Sequence, residues 1–360
     1  MSAERTAMTV LGPLPAEDLG QVSIHEHVLV DARNYVSEKA GEEGPSLWPL
    51  ELGKSGRLRR VFTFNAENLL MDDVDLLVAE LAALRAAGGT TIVDMSTDGL
   101  RLDVEALADI SRRSGVNIVL GTGLYITPTR PERYRGVEER ALAAWMTSEI
   151  MDGIEGTGIR AGHIGEIGIT ELDEEDRTLL KAAARAAAET GATISIHPGF
   201  SPGKDGRAIA DVLEDAGAGP DQVVMGHGDA FVVEHDLGKL IEDPGRPSVQ
   251  LDYHRELLQR GYNISFDCFG HDWSMEDIDW MLETDWHRLV AVATLVTEGY
   301  ASQLVLGCDI FAHSLMKQGG GAGYGRVLEW VVPALLRHGA SEEDVRKMTV
   351  ENPARLLGVF

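Results

Sequence analysis

The stretch VSIHEHVLVD at residues 22–31 places two histidines, His25 and His27, directly after a short apolar run. In an extended strand, residues i and i+2 point to the same face, so the two imidazoles converge on one point. Two convergent imidazoles suit a metal ion, although a lone His-x-His pair is also common by chance. A metal site here therefore requires further ligands from elsewhere in the chain.

Further apolar runs, each bounded by turn residues, follow this one along the chain and alternate with helical patterns. One such pattern, at 71–88, places Leu76, Leu77, Leu81 and Leu84 on one face, and another, at 274–299, is long enough for one helix or two. Apolar strands that alternate with helices predict a parallel sheet covered by helices. With the first run, the predicted strands lie at 21–24, 90–97, 116–125, 161–169, 192–199, 221–229, 262–270 and 302–310.

Eight such units predict the α/β class and a closed (β/α)8 TIM barrel, in one domain over residues 1–360. The alternative, an open nucleotide-binding sheet, requires a glycine-rich turn after the first strand, and this strand ends in His-Glu-His instead. Residues 32–70 are too long and irregular for a simple loop. We expect them to form an insertion after strand one, over the mouth of the barrel.

The charge balance limits the partners. The chain has 360 residues, 32 basic and 58 acidic, with a net charge of -26, which argues against nucleic acid or an anionic membrane surface as a partner. Only two cysteines, Cys268 and Cys308, are present, so a disulfide framework is not expected. With no apolar leader and no run of about 18 apolar residues, we expect a soluble, cytoplasmic protein that acts on a small molecule.

Histidines and carboxylates occupy the ends of the predicted strands. In a (β/α)8 barrel the reactive groups gather at the C-terminal ends of the strands. Any one of these histidines is more often a hydrogen-bonded core residue than a ligand, but together they predict a metal centre. The candidate ligands are His25, His27, Glu166, His197, His227 and Asp309.

The order of these residues around the ring suggests two metal ions. His25, His27 and Asp309 could hold one ion, His197 and His227 a second, and Glu166 could bridge them through its two oxygens. A hydroxide shared by two cations is a nucleophile at neutral pH. Imidazole and carboxylate ligands favour zinc, with manganese, cobalt and iron as alternatives.

The motifs resemble the phosphotriesterase family of the amidohydrolase superfamily, and the resemblance spans essentially the whole chain. The matching segments are TVLGPLPAEDLGQVSIHEHVLVD at 9–31, AGHIGEIGIT at 161–170, ISIHPG at 194–199, VVMGHGD at 223–229, LVLGCDI at 304–310, GGGAGYG at 319–325 and VENPARLLG at 350–358. The resemblance implies that His25, His27 and Asp309 bind the more buried metal and that His197 and His227 bind the more exposed one. It also implies that Asp309 takes a proton from the attacking water.

Two departures from the family pattern bear on activity. Many members bridge the metals with a carboxylated lysine on strand four, and Glu166 must serve here, as in the branch called phosphotriesterase homology proteins. Organophosphate hydrolases of the family carry an aspartate three residues after the strand-six histidine, where this chain has Ala230, and a histidine on strand seven. Asp229 and His271 are the candidates to replace them as a proton relay. Efficient phosphotriesterase activity is therefore not expected.

The resemblance implies hydrolysis of a lactone, carboxylic ester, amide or phosphotriester. Our first hypothesis is a lactone or carboxylic ester, with an amide of an N-acyl amine and weak phosphotriesterase activity as alternatives. A different class of function, a ligand-binding barrel with metals but little catalysis, is disfavoured because no ligand is missing. Relatives are often homodimers, so a homodimer is expected. The candidate substrate-binding residues are Tyr125, Phe269, His271, Trp273, Lys317 and Tyr324; His163 is interpreted as structural.

Overall fold

All eight predicted strands are present and form one parallel sheet, whose order around the ring follows the chain. The computed structural model describes residues 5–35, 56, 58–61, 65–200, 203–245, 248–275, 280–281 and 283–360. This confirms the predicted barrel. Strands one to eight are Val22–Glu26, Thr91–Asp94, Asn117–Thr122, His163–Gly168, Ile194–His197, Val223–Met225, Asn263–Phe266 and Leu304–Leu306.

The middle residue of the His-Glu-His motif helps to close the ring between strands one and eight. The buried carboxylate of Glu26 accepts hydrogen bonds from the backbone N–H groups of Cys308 and Ile310, both at 3.0 Å. The N–H of Asp309 donates to the carbonyl of His25 at 2.9 Å. The motif thus joins the segment after strand eight to strand one while it presents its two histidines.

Helices cover the sheet, and aspartates begin many of them. The side chains of Asp73, Asp103, Asp173, Asp205 and Asp236 each accept a hydrogen bond from a backbone N–H in the first turn, as N-caps do. The helices are Val74–Ala86, Val104–Ser114, Glu139–Met151, Glu174–Thr190, Gly206–Asp215, Leu237–Glu242, Asp252–Gln259, Asp285–Thr297, Val332–Arg337, Glu342–Arg346 and Asn352–Leu357. None of the helices in the described ranges has the length and hydropathy that a membrane crossing requires.

The core lies on both faces of the barrel strands. Adjacent strand residues such as Ile92 and Val93 are both fully buried, because one faces the barrel interior and the other the helices. Leu77, Leu81 and Leu84 of the predicted apolar face are buried as expected, whereas Leu76 is only partly buried. The continuous apolar runs in the sequence therefore reflect burial on two sides.

Two parts of the chain differ from the expectations. The pattern at 274–299 is not helical throughout: Ser274–Met275 pairs with Trp280–Met281 as an antiparallel ribbon, and the helix begins only at Asp285, where Thr284 and His287 form a capping box. An unpredicted hairpin, Thr6–Thr9 with Gly12–Pro15, packs at the N-terminal end of the barrel. Its connection is fixed there by a hydrogen bond from the N–H of Val10 to the carbonyl of Ile118, at 2.9 Å.

The predicted insertion at 32–70 is described only in part. At its end, Leu70–Met71 pairs antiparallel with Val30–Asp31, a short strand that follows strand one. Arg59 donates from its guanidinium to the carbonyl of Gly320, and its own carbonyl accepts from the N–H of Ser274. The described pieces thus pack on the loops after strands seven and eight; residues 36–55, 57 and 62–64 lie outside the described residues.

Candidate metal centre

The six predicted ligands converge at the C-terminal end of the barrel. His25 lies in strand one and His27 follows that strand directly, whereas Glu166 lies within strand four. His197 is the last residue of strand five, whereas His227 and Asp309 follow strands six and eight by two and three residues. All are buried except His197, which is half-buried.

The first ligand group consists of the strand-one histidines and Asp309. The Asp309 Oδ1 atom lies 3.2 Å from His27 Nε2 and 3.6 Å from His25 Nε2. Glu166 Oε1 faces the same two nitrogens, at 3.6 Å from His25 and 3.7 Å from His27.

The second ligand group is formed around the other oxygen of Glu166. Its Oε2 atom lies 3.3 Å from His197 Nδ1 and 3.3 Å from His227 Nε2. The two oxygens of one carboxylate therefore face two different pairs of histidines, which is the arrangement that a bridge between two ions requires.

The donor atoms fit divalent cations. Ligands at 2.0–2.1 Å from a tetrahedral zinc ion lie about 3.3 Å from one another, and the separations here are 3.2–3.7 Å. His25 Nε2 and Glu166 Oε2 are buried and make no hydrogen bond in the described part of the chain. Buried polar atoms without a partner are costly, and a shared cation would provide one.

A residue that the sequence prediction missed, Asp267, orients histidines of both groups. Its carboxylate lies 3.0 Å from His25 Nδ1 and 2.9 Å from His227 Nδ1. Ser96 Oγ lies 2.9 Å from His27 Nδ1 in the same way. A hydrogen bond at Nδ1 fixes the orientation of the imidazole ring and leaves Nε2 free for a metal. Asp267 directly follows strand seven, so the strand-end pattern that selected the ligands could have found it.

The carboxylates of the cluster favour positive charge at this site. Burial by itself would lower the pKa of His25, but the carboxylates of Glu166, Asp267 and Asp309 hold that pKa well above its usual value. Burial would likewise raise the pKa of Glu166, but the neighbouring imidazoles, His25 first, hold it well below the usual value. Cations bound at this site would supply that positive charge in place of protons, since metal binding releases protons.

Two of the ligands have a strained backbone. His227 and Asp309 have φ angles of 50° and 48°, in the left-handed region that non-glycine residues rarely adopt. Each is held there by hydrogen bonds of its own N–H group, from His227 to the carboxylate of Asp267 and from Asp309 to the carbonyl of His25. Such strain is typical of functional sites, where the surrounding structure fixes a side-chain direction.

A cavity of about 460 Å³ opens above the cluster and reaches three of the candidate substrate-binding residues. Tyr125 places its hydroxyl 3.0 Å from His197 Nδ1. His271 places its Nε2 atom 3.0 Å from the carbonyl of Asp309 and stacks on Trp273, with ring centroids 4.7 Å apart. Apolar residues form most of the wall, among them Val30, Leu100, Ile126, Ile169, Phe200 and Phe311.

The other three candidates, Phe269, Lys317 and Tyr324, do not line this cavity. Phe269 is buried in the hydrophobic core. Lys317 directs its ammonium to Glu329, at 2.5 Å, so it does not offer a cation to the substrate. Tyr324 donates its hydroxyl to the carbonyl of His27, at 2.7 Å, and so supports a ligand from behind.

The two relay candidates differ in their surroundings. Asp229 lies behind the ligands, accepts the N–H of Asp267 at 2.7 Å and pairs with Arg288 at 3.1 Å. Burial raises the pKa of Asp229 to about 8. His271 lies in the cavity wall beside Asp309 and is therefore the better placed of the two for proton transfer.

The remaining histidines agree with a structural interpretation. His163 is buried, with Nε2 3.1 Å from the sulfur of Met95, and burial lowers its pKa to about 3. Within the described ranges, the clusters able to hold a metal ion do not include His235, His254, His287, His313 or His338.

A buried arginine in the cavity wall was not predicted. Arg288 is fully buried at the start of the helix Asp285–Thr297 and lines the cavity together with Glu283. In the sequence it lies within an amphipathic helical pattern, which gives no signal that its guanidinium turns inward.

Comparisons with known proteins agree with this geometry. Residues 6–357 match the family model described as the phosphotriesterase family. The chain is similar to N-acetyltaurine hydrolase of Salmo salar, with 33% identity over 97% of each chain.

Solved structures show the same architecture. A resiniferatoxin-binding protein from Rhodobacter sphaeroides superposes with a TM-score of 0.87 at 29% identity, over 98% of this chain and 94% of the other. A mutant of a phosphotriesterase-like lactonase from Deinococcus radiodurans superposes with a TM-score of 0.74 at 28% identity, over 98% and 100% of the two chains.

Proposed function

This chain belongs to the phosphotriesterase family, and on that basis we propose that it is a metal-dependent hydrolase that cleaves the amide bond of an N-acyl amine. The observation that carries the metal-dependent chemistry is the carboxylate of Glu166. One of its oxygens faces His25 and His27 and the other faces His197 and His227, at the floor of an apolar cavity.

We assign the ligands as the sequence suggested. His25, His27 and Asp309 form one site, His197 and His227 the other, and Glu166 belongs to both. The imidazole and carboxylate donors make zinc the first choice for both ions. Two divalent ions, held by these residues, would supply an activated water as nucleophile and would polarise the acyl oxygen.

Asp309 performs the proton transfers in this proposal. It lies between the ligand nitrogens of strand one and the cavity, so its carboxylate can accept the proton of the attacking water. Cleavage of an amide requires a proton on the leaving nitrogen, because an unprotonated amide anion is a very poor leaving group. Asp309 returns the proton there, with His271 beside it as the next group in the wall.

The cavity walls orient the substrate and exclude water. Trp273 and Phe311 pack together over the floor, with ring centroids 5.7 Å apart, and Phe200 lies over His197 at 5.3 Å. Tyr125 fixes the imidazole of His197 through its hydroxyl and presents an edge to the cavity. These groups suit a substrate with a compact acyl group and an elongated remainder.

The similarity to N-acetyltaurine hydrolase along 97% of each chain supports an amide as the scissile bond. A lactone is the second candidate, because the phosphotriesterase-like lactonase shares the fold at 28% identity. The absence of a strand-four lysine, with Glu166 in the bridging position, does not distinguish the two.

A matched substrate panel tests the proposal. Metal-loaded protein is assayed with N-acetylpentylamine, with pentyl acetate and with a γ-lactone of similar size, and each rate is divided by that of the uncatalysed reaction. We expect the largest rate enhancement for the amide and its loss in Asp309→Asn. Enhancement of the lactone alone would favour the second candidate, and no enhancement of any substrate with both metals bound would leave only a ligand-binding barrel.

A further inference from the structure

A buried group of charges forms one part of the cavity wall. The guanidinium of Arg288 contacts Asp229 at 3.1 Å, Asp285 at 3.0 Å and Glu283 at 3.0 Å, and all four side chains are buried. One cation thus stands among three carboxylates, and Arg326 adds a second cation only at Asp285, at 2.7 Å.

Glu283 is the carboxylate of this group that both lines the cavity and retains an unused oxygen. Its Oε1 atom accepts from Arg288, whereas Oε2 is buried and makes no hydrogen bond within the described ranges. The nearest imidazole nitrogen, His235 Nε2, lies 4.0 Å away. A buried carboxylate oxygen without a donor is unfavourable, so this atom is suited to a donor that arrives with a ligand.

The sign of the charge around the cavity indicates the kind of ligand. Among the described residues that line it, Arg288 is the one lysine or arginine, and its charge is already matched by the carboxylates of Glu283 and Asp285. An anionic group on the substrate would find no free cation in this wall. A protonated amine would find Glu283.

We propose that Glu283 determines specificity by accepting a hydrogen bond from a protonated amine on the leaving half of the substrate. The substrate class is then a mono-N-acylated diamine. The inference rests on the proposed function for the position of the scissile amide. When a short acyl group lies at the metal ligands, the amine half is the part that can reach the wall. The sulfonate of N-acetyltaurine would instead meet a carboxylate there.

Three amides of similar length separate the contributions of charge and size. N-acetyl-1,4-diaminobutane carries a terminal cation, N-acetylpentylamine is its neutral counterpart, and N-acetyltaurine carries an anion. At fixed metal occupancy, we expect kcat/KM for the diamine derivative to exceed that of the neutral amide at least tenfold, with the difference mainly in KM, and the anionic amide to be the poorest substrate.

A matched pair of variants tests the role of Glu283. Both Glu283→Gln and Asp285→Asn remove a carboxylate that pairs with Arg288, but only Glu283 lines the cavity. We expect Glu283→Gln to abolish the preference for the cationic substrate and Asp285→Asn to keep it. If Glu283→Gln does not fold, Glu283→Asp, which retracts the carboxylate by one methylene, should reduce the preference.

The inference and the proposed function can fail separately. Equal kcat/KM for the cationic and neutral amides, or a preference that survives in Glu283→Gln, would overturn the inference while amide hydrolysis stands. If no amide is hydrolysed, calorimetric titration of the metal-loaded protein with the same amides decides: tighter binding of the diamine derivative that is lost in Glu283→Gln supports the inference, and equal binding overturns it.

Discussion

At the scale of single residues, the position of each candidate ligand along its strand was enough to select side chains that the structure brings together in one cluster. Six strand-end residues were selected from the sequence, and the structure brings them together, with carboxylate oxygens of Glu166 and Asp309 lying 3.2–3.7 Å from the histidine nitrogens. Asp267 ends strand seven by the same rule and was overlooked. Arg288 could not have been found this way, because nothing in a helical pattern tells which polar side chain turns into a cavity.

Asp267 is expected to matter for both ions, because its carboxylate holds Nδ1 of His25 and Nδ1 of His227. In Asp267→Asn an amide N–H₂ group replaces one of the two carboxylate oxygens and faces one of these Nδ1 atoms. We therefore expect metal affinity to fall by roughly 10–100-fold. Competition with a chelator measures it. Ser96→Ala is the control: of the ligand histidines the Ser96 side chain contacts His27, so its loss should weaken the binding of one ion. Unchanged affinity for both ions in Asp267→Asn would refute this role of Asp267.

Asp309 is expected to act in the chemical step. Asp309→Asn keeps an oxygen toward His25 and His27 but cannot accept a proton, so kcat should fall at least about 100-fold, with a smaller effect on KM. Steady-state kinetics on an accepted amide or lactone, with metal occupancy confirmed by elemental analysis, provide the measurement. A kcat within threefold of the wild-type value, with both metals bound, would show that Asp309 is only a ligand.

At the scale of elements, the eight strands were predictable because each is buried on both faces. Its sequence is therefore a continuous run of mainly apolar residues. The hairpin at residues 6–15 was missed because Pro13 and Pro15 obscure a strand, although proline is tolerated at an edge. The pattern at 274–299 looked helical throughout, but pairing of Ser274–Met275 with Trp280–Met281 overrides local helical periodicity before Asp285.

The loops that carry the cavity wall after strands three and four are tied together by Arg130. Its guanidinium donates to the carbonyls of Tyr125 and Gly168, both at 2.8 Å, and pairs with the fully buried carboxylate of Asp176 at 2.5 Å. Asp176 also accepts three backbone N–H groups of the segment 170–172. This network explains how a loop residue such as Tyr125 is held against His197.

Removing the guanidinium should be costly because it leaves the carboxylate of Asp176 buried without its counter-ion. We expect Arg130→Met to lower the free energy of unfolding by about 3–5 kcal/mol, as measured by urea denaturation. Arg185→Met serves as control, because Arg185 pairs with Glu139 at the surface and exposed pairs contribute little. Equal stability of Arg130→Met and the control would show that the loops do not depend on this pair.

At the scale of the whole molecule, family and fold followed from the sequence, but the substrate could not. Lys317 and Tyr324 were reasonable candidates from their place after strand eight, yet one turns to Glu329 and the other lies beneath His27. Which loop side chains face a cavity depends on contacts between distant segments, such as Arg288 with Asp229. The homodimer stays a prediction, which light scattering of the purified protein would check.

Metal removal should destabilise the whole barrel. Ions that bind the folded state and not the unfolded chain add stability that grows with the logarithm of their concentration. Ions bound by the six candidate ligands would also hold together the ends of strands one, four, five, six and eight. We expect a chelator to lower Tm and added zinc to restore it, as measured by differential scanning calorimetry. The shift should be smaller in Glu166→Gln, and a Tm insensitive to chelator would contradict a metal-linked core.

The central claim is that Glu166 bridges two metal ions, and anomalous diffraction from crystals of the metal-loaded protein tests it most directly. Data collected at the absorption edge of the added metal should show two peaks per chain, one among His25, His27 and Asp309 and one beside His197 and His227, on either side of the Glu166 carboxylate. Glu166→Gln crystals should lose at least one of them. A single peak, peaks elsewhere in the molecule, or two full peaks in Glu166→Gln would contradict the account.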